Sequence, residues 1–343
     1  MVILGIESTA HTFGIGLVKD GKVLCNVKKT YTTEKGGIIP IEAAKHHEEN
    51  WKGVYLESLI QAKIKETEID AIAFSQGPGL SPCLLVGLKK AKELSEKLGV
   101  PLVPINHCIA HLEIGKTTGA RDPVMLYVSG ANTQIIAYAS GKYRIFGETL
   151  DLGVGNFIDS FGRYAGIGFP AGPAIEELAK KSKNYIELPY KVKGMDIALS
   201  GMLTNLCQKL EKQNTQGRTP KNIQKNIFTR GIEDLAYSMQ ETVFAMLVET
   251  AERALAHTGK TELLLGGGVA CNLRLQEMCR IMCKERGAKL FVPEKSLLVD
   301  QGAMIAFTGE ILLNNGDYIK GKNIDKIDIS PRQRTDQVEI KYK

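Results

Sequence analysis

The strongest constraint on how this chain folds is that its order of parts is written twice. An apolar run, Val2–Glu7, leads into a small polar turn, Ser8-Thr9-Ala10. A second run, 13–18, passes through Asp20-Gly21 into a third, 22–26. Asp-Gly between alternating strands is a strong hairpin signal, because the tight turn demands backbone angles that glycine adopts freely. From Pro123 the series returns: Val124–Val128, the turn Ser129-Gly130-Ala131-Asn132, a strand at 133–138, Ser140-Gly141, and a strand at 142–146. Turn serine to hairpin glycine spans 13 residues in the first copy and 12 in the second. The copies begin about 120 residues apart, which is the size of a domain.

Each three-stranded meander is followed by alternating helices and strands. In the first copy, 42–66 and 82–98 read as helices, and 71–75 and 101–106 as strands. In the second, 231–257, 272–286 and 300–314 read as helices, and 263–265 and 289–292 as strands. Residues Leu235, Met239, Val243, Met246, Leu247 and Thr250 recur near the helical period. An antiparallel meander with helix-connected strands predicts a mixed sheet covered by helices. Two such lobes describe the duplicated α/β fold of the actin, heat-shock-cognate and sugar-kinase superfamily, with a nucleotide cleft between them. The expected divisions are 1–121 for the N-terminal lobe, 122–314 for the C-terminal lobe and 315–343 for a tail.

Composition excludes several classes. At 343 residues the chain is comfortable for two domains. Its opening, MVILGIES, has no basic leader, and no apolar stretch approaches the roughly 20 residues that span a bilayer. A cytoplasmic protein with no membrane partner is expected. Seven cysteines, an odd number without CxxC pairs, do not make a disulfide framework. Cys279 and Cys283 lie one helical turn apart and read as packing residues. The net charge of +6 is compatible with an RNA partner, and the stretch 209–230 carries six basic residues and one acid. We read that stretch as an exposed basic connection and a candidate phosphate contact.

Small-residue turns point backbone N–H groups into anion-binding concavities, so Ser8-Thr9 and Ser129-Gly130 are expected to face phosphates across the cleft. Gly266-Gly267-Gly268, after a strand, would let a base or ribose approach the backbone. His107 and His111 follow the 101–106 strand. Side chains four apart on a helix share a face and can grip one ion. Asp300 and Tyr127 are candidates for the remaining ligands. The zinc-peptidase motif has a glutamate directly after its first histidine; here Cys108 stands there, and peptide hydrolysis loses its base. His46 and His47 diverge around a helix and read as surface or second-lobe contacts.

The motifs GIESTAHT, NHCIAHLEIG, LYVSGANTQ, GETLDLGVGNFIDSFGRYA, GPAIEELAKK, KGMDIALSG, EDLAYSMQETVFAML, LLLGGGVACNLRL and DQGAMIAFTGE run from 5 to 310. Together they resemble the catalytic subunit of the KEOPS complex, in the tRNA N6-adenosine threonylcarbamoyltransferase family. The resemblance implies transfer of a threonylcarbamoyl group from threonylcarbamoyl-AMP to N6 of the adenosine that follows the anticodon, in tRNAs reading codons that start with A. It implies an iron or zinc ion on His107, His111, Tyr127 and Asp300. It places donor or nucleotide, with ATP or ADP as further ligands, against Tyr127, Val128, Ser129, Gly130, Ala131, Asn132, Asp159, Gly172, Glu176, Gly267, Gly268 and Asn272. The implied partners are tRNA, a small atypical kinase/ATPase subunit and a small dimerising subunit.

Three positions depart from the family pattern. Ala131 stands where the phosphate turn usually has a second glycine, and Ile39 and Ile41 replace the usual His and Arg. No residue identifies itself as a general base. The competing functions are an ATPase or kinase of the same superfamily, which usually carries Asp where this chain has Glu7, and a nucleotide-binding scaffold.

Overall fold

The structure, a computed structural model, describes residues 1–34, 36–215 and 231–343. In the first half, β1 (Val2–Glu7), β2 (Thr12–Lys19) and β3 (Lys22–Thr30) form the antiparallel meander. They are followed by α1 (Pro40–Ala62), β4 (Ala71–Gly77), α2 (Ser81–Leu98), β5 (Leu102–Asn106) and α3 (His107–Gly115). In the second half, β6 (Val124–Val128), β7 (Thr133–Ala139) and β8 (Lys142–Glu148) repeat the meander. An insertion carries α4 (Val154–Tyr164), α5 (Gly172–Ala179), the small hairpin β9 (Val192–Lys193) and β10 (Asp196–Ile197), and α6 (Ser200–Thr215). Then come α7 (Ile232–Thr258), β11 (Glu262–Gly266), α8 (Leu273–Glu285), β12 (Lys289–Phe291), the single turn α9 (Lys295–Leu298) and α10 (Gly302–Asn314).

The two five-stranded sheets have the same topology. The first runs β3-β2-β1-β4-β5 and the second β8-β7-β6-β11-β12. In each, the meander pairs antiparallel and the last two strands add parallel to its first. The expected duplicated α/β fold with mixed sheets is therefore present, strand for strand. Every residue of β1 and of β6 is buried. That explains why these segments read as continuous apolar runs rather than alternating ones.

Helix α10 was expected to lie within the second lobe, yet it packs on the first sheet. Its contact is made by glycines. A Cβ at Gly5 would lie 2.2 Å from Ala306 N, at Gly16 2.2 Å from Ala303 N, and at Gly302 2.2 Å from Gly16 N. Only hydrogen at these positions lets a helix backbone lie directly on strand backbones. The chain thus returns to the first sheet at residue 302. Its final segment then straps both halves: Ile319 exchanges 2.9 Å backbone hydrogen bonds with Leu102, and Ser330 N donates to Gln76 O at 2.8 Å. Further along, Asn106 Nδ2 donates to Gln333 (3.1 Å), Arg334 pairs with Glu148 (3.2 Å), and Tyr342 donates to Glu113 (3.0 Å). The segment after β3 also meets the segment between α4 and α5, where Thr33 and Phe169 exchange backbone hydrogen bonds of 3.3 and 2.9 Å.

Of the basic stretch 209–230, residues 209–215 finish α6 and the remainder, 216–230, lies outside the described residues. No helix among the described residues is long and apolar enough to cross a membrane.

Candidate metal and nucleotide site

Each half of the duplication has a junction where its fifth strand gives way to a helix. The β5–α3 junction supplies His107 and His111, and the segment between β12 and α10 supplies Asp300. Asn106 caps α3, its side chain accepting from Cys108 N at 3.0 Å and Ile109 N at 3.1 Å, so the helix starts with His107 in its first turn. Asp300 does not begin α10, as the sequence suggested. Gln301 takes the cap by accepting from Met304 N at 2.9 Å, which leaves the Asp300 carboxylate free to turn towards α3. Tyr127 reaches the same point from β6.

The four side chains converge. His107 Nε2 lies 3.1 Å from the Tyr127 hydroxyl and 3.4 Å from Asp300 Oδ1, and His111 Nε2 lies 3.2 Å from the same carboxylate oxygen. Both histidines and Tyr127 are buried, and Asp300 keeps a small exposed edge. A tetrahedron of ligands about 2.05 Å from a central ion has edges of roughly 3.3 Å, which these three contacts match; the His107, His111 and Asp300 donor atoms as a group lie within 4.8 Å of one another. Two imidazole nitrogens, a phenol oxygen and a carboxylate oxygen suit iron or zinc rather than calcium. Among the described residues, His107, His111 and Asp300 form the one group of three or more His, Cys, Asp or Glu side chains that could hold an ion. Cys279 and Cys283 are buried on α8, and burial pushes their thiols up to about 12 and about 11, as packing residues should be.

The electrostatics are those of closely apposed unlike charges. Burial works to keep His107 neutral, but the Glu7 and Asp300 carboxylates on either side hold it protonated well above the usual histidine range. Burial also opposes ionisation of Asp300, and the His107 charge beside it outweighs that and holds the carboxyl well below its usual range. His111 is pushed down by burial and Tyr127 is pushed up by it. A cation at the centre would replace the proton on His107 as the counter-charge to these carboxylates.

The two small-residue turns differ from one another. Ser8 and Thr9 are buried, and both amides are spent: Ser8 N donates to Ser75 Oγ at 3.1 Å and Thr9 N to Glu7 Oε1 at 2.7 Å. The expectation that this turn offers its N–H groups to phosphate is corrected; its donors are consumed within the lobe. The Ser129–Asn132 turn is open. Ser129 N donates to Asn132 O at 2.8 Å, while the exposed Gly130 and Ala131 N–H groups have no partner among the described residues. Ala131 does not sit at positive φ, so alanine costs the turn nothing. The turn is backed by α4, whose Gly155 N and Asn156 N donate to Ser129 O (3.0 Å) and Gly130 O (2.8 Å). Gly267, at φ 90°, packs against the end of β6, where a Cβ would lie 2.3 Å from Val128 O. Gly267 and Gly268 thus stand beside the Val128–Ser129 backbone.

The remaining expected residues gather where α5, α7 and α8 meet. Asn272 caps α8 by accepting from Arg274 N at 2.9 Å, and its amide donates to Gln240 Oε1 at 2.9 Å. Glu176 accepts from Leu273 N at 3.2 Å, and Gly172 opens α5. Asp159, on α4, accepts from Ala171 N at 2.7 Å, and burial raises its carboxyl. A cavity of about 410 Å³ opens beside them, lined in part by Glu176, Lys180, Gln240, Leu273 and Arg274. Ile39 and Ile41 are exposed.

Two residues of this site are not assigned to it from sequence: Glu7 reads there only as replacing the superfamily's Asp, and Thr9 as part of a phosphate turn. Glu7 bonds His107 Nδ1 at 3.0 Å, and Thr9 holds Glu7 through its amide and hydroxyl. The only local signal was a glutamate where the superfamily usually carries aspartate. The reading of His47 also needs correction. His47 is buried in the first lobe, donating from Nε2 to Ala10 O at 3.0 Å, and is not a surface residue.

Comparison with known proteins places the chain in a family. The family model TsaD, tRNA N6-adenosine threonylcarbamoyltransferase, matches residues 22–307. The chain is 53% identical over 340 residues to the tRNA N6-adenosine threonylcarbamoyltransferase of Thermococcus kodakarensis, covering 99% of each protein. It is 48% identical over 344 residues to a Methanosarcina mazei protein named "probable bifunctional tRNA threonylcarbamoyladenosine biosynthesis protein", covering 99% of this chain and 59% of that longer one. Among solved structures, T. kodakarensis HypF superposes with a TM-score of 0.61 at 15% identity, over 92% of this chain and 48% of HypF, a likeness of fold. The chain belongs to the tRNA N6-adenosine threonylcarbamoyltransferase family.

Proposed function

We propose that this chain transfers the threonylcarbamoyl group of threonylcarbamoyl-AMP to N6 of the adenosine following the anticodon, with iron or zinc held by His107, His111, Tyr127 and Asp300. The observation that carries the reading is the convergence of these four side chains, joined by three contacts of 3.1–3.4 Å, in a chain of this family. An adenine exocyclic amine is a weak nucleophile, and the donor answers this with a good leaving group. The N6–carbonyl bond forms, the carbonyl–phosphate oxygen bond breaks, AMP departs with the electron pair and N6 loses a proton. The protein's task is then position and charge. A bound ion would supply Lewis acidity towards the donor.

The unpartnered N–H groups of Gly130 and Ala131 would receive the donor phosphate, with Ser129 and Asn132 holding the turn in shape. Gly267 and Gly268 would leave room for the ribose against the Val128 backbone, and Tyr127 would set the neighbouring wall. Asp159, Gly172, Glu176 and Asn272 would bind the ribose and adenine. ATP or ADP would use the same contacts. The partners are tRNA, a small kinase/ATPase subunit and a dimerising subunit, working in the cytoplasm. The longer Methanosarcina relative, named bifunctional, supports a second activity acting beside this one.

The test combines the purified chain and its two partner subunits with threonylcarbamoyl-AMP and unmodified tRNA, followed by mass spectrometry of the digested tRNA. Modified adenosine is expected from the parent. The His107→Ala/His111→Ala double variant should lose at least about 100-fold in rate. No product from a folded, assembled parent would refute the reading.

A further inference from the structure

We infer that Glu7 is the positioning residue of this centre, fixing the His107 imidazole so that Nε2 faces Tyr127 and Asp300. The inference rests on the reading that these donors hold a metal. Glu7 is fully buried at the end of β1, and each of its oxygens has a task. Oε2 lies 3.0 Å from His107 Nδ1, the ring nitrogen that faces away from the other donors. Oε1 accepts from Thr9 N at 2.7 Å and from Thr9 Oγ1 at 2.5 Å. The carboxylate therefore has no freedom to rotate without losing bonds that burial makes costly.

The turn that holds Glu7 is itself clamped. Thr9 O accepts from Leu80 N at 2.7 Å, and Ser8 N donates to Ser75 at 3.1 Å. Helix α2 presses on it so closely that a Cβ at Gly87 would lie 2.0 Å from Ser8 Oγ. This assigns work to a turn whose amides are closed to phosphate: it is a mount for the carboxylate. It also accounts for glutamate at this place. Aspartate is one methylene shorter and cannot span from β1 to both Thr9 and His107. A carboxylate on the outer nitrogen of a ligating histidine fixes its tautomer and ring plane, and losing such a partner costs about 10–100-fold in metal affinity.

The test titrates zinc into the metal-stripped full chain against a competing chelator, for the parent, Glu7→Gln, Glu7→Ala and Glu7→Asp. The parent is expected to bind one zinc. Glu7→Ala and Glu7→Asp should bind about 10–100-fold more weakly, while Glu7→Gln, which keeps the length but has one acceptor oxygen where Glu7 uses two, should fall between them and the parent. Glu7→Ala or Glu7→Asp within about twofold of the parent would overturn the assignment. A parent that takes up no zinc removes the metal reading and the role of Glu7 together. Should Glu7→Ala not fold, proton NMR of the zinc-loaded parent and Glu7→Gln proteins decides. The His107 Nδ1–H resonance moves when its acceptor changes from carboxylate to amide, and an unmoved resonance overturns the inference.

Discussion

His47 shows how much one buried imidazole can weigh on this fold. It is enclosed by the first lobe, tilted against Phe13, and its Nε2–H serves the Ala10 carbonyl. Burial first, and then the charge of the adjacent His46, lowers it from 6.5 to about 4, with a smaller push from His11 and the Ala10 bond acting the other way. The folded state therefore refuses a proton that the unfolded chain accepts. Stability is whole above about pH 6.5, is lost as pH falls, and levels below about 4, a total of roughly 3 kcal/mol. Denaturant unfolding of the parent and of His47→Gln at pH 7 and pH 4.5 should show the parent losing more. Equal losses would mean that His47 is solvated in the folded state. The same scale separates what sequence could convey from what it could not. His107 and His111 declare themselves through helical spacing. The bond from Glu7 to His107 does not, because it exists only once folding brings residues a hundred positions apart to 3.0 Å.

Among the elements, the seating of α10 on the first sheet is the most exacting. Gly16→Ala would place a methyl 2.2 Å from Ala303 N and 2.4 Å from Ala303 Cα, both backbone atoms that no rotamer change can move. We expect a loss of about 3 kcal/mol, measured as a lowered denaturant midpoint. Gly53→Ala in α1, with nothing within 4 Å, should instead gain about 0.5–1 kcal/mol. A Gly16→Ala chain as stable as the parent would show that α10 can lift from the sheet at little cost. The meanders and long helices were legible because turn chemistry and period agree there. The insertion helices α4–α6 were not read from sequence, although Val154, Phe157, Ile158 and Phe161 of α4 recur at helical spacing. The helix 302–314 is apolar nearly all round, so the sequence announces that it is buried without naming the sheet; glycines at 5, 16 and 302 decide that.

For the molecule as a whole, the segment after α10 ties the halves together at both ends of α3. Deleting 330–343 removes the Gln333 partner of Asn106 at one end of that helix and, at the other, one donor to Glu113, where Tyr143 remains. Buried polar groups left unpaired cost about 1–3 kcal/mol each, so the thermal midpoint should fall by several degrees. At a temperature where both forms stay folded, kcat should drop roughly tenfold or more as the histidines lose their setting. An unchanged midpoint and rate would make the segment dispensable. The placement of the four donors carries a mechanical consequence. Two come from the end of the first sheet and two from the second, and three contacts of 3.1–3.4 Å join the pairs. An ion held by all four would act as a rivet through both halves, and the halves could swing only about that point.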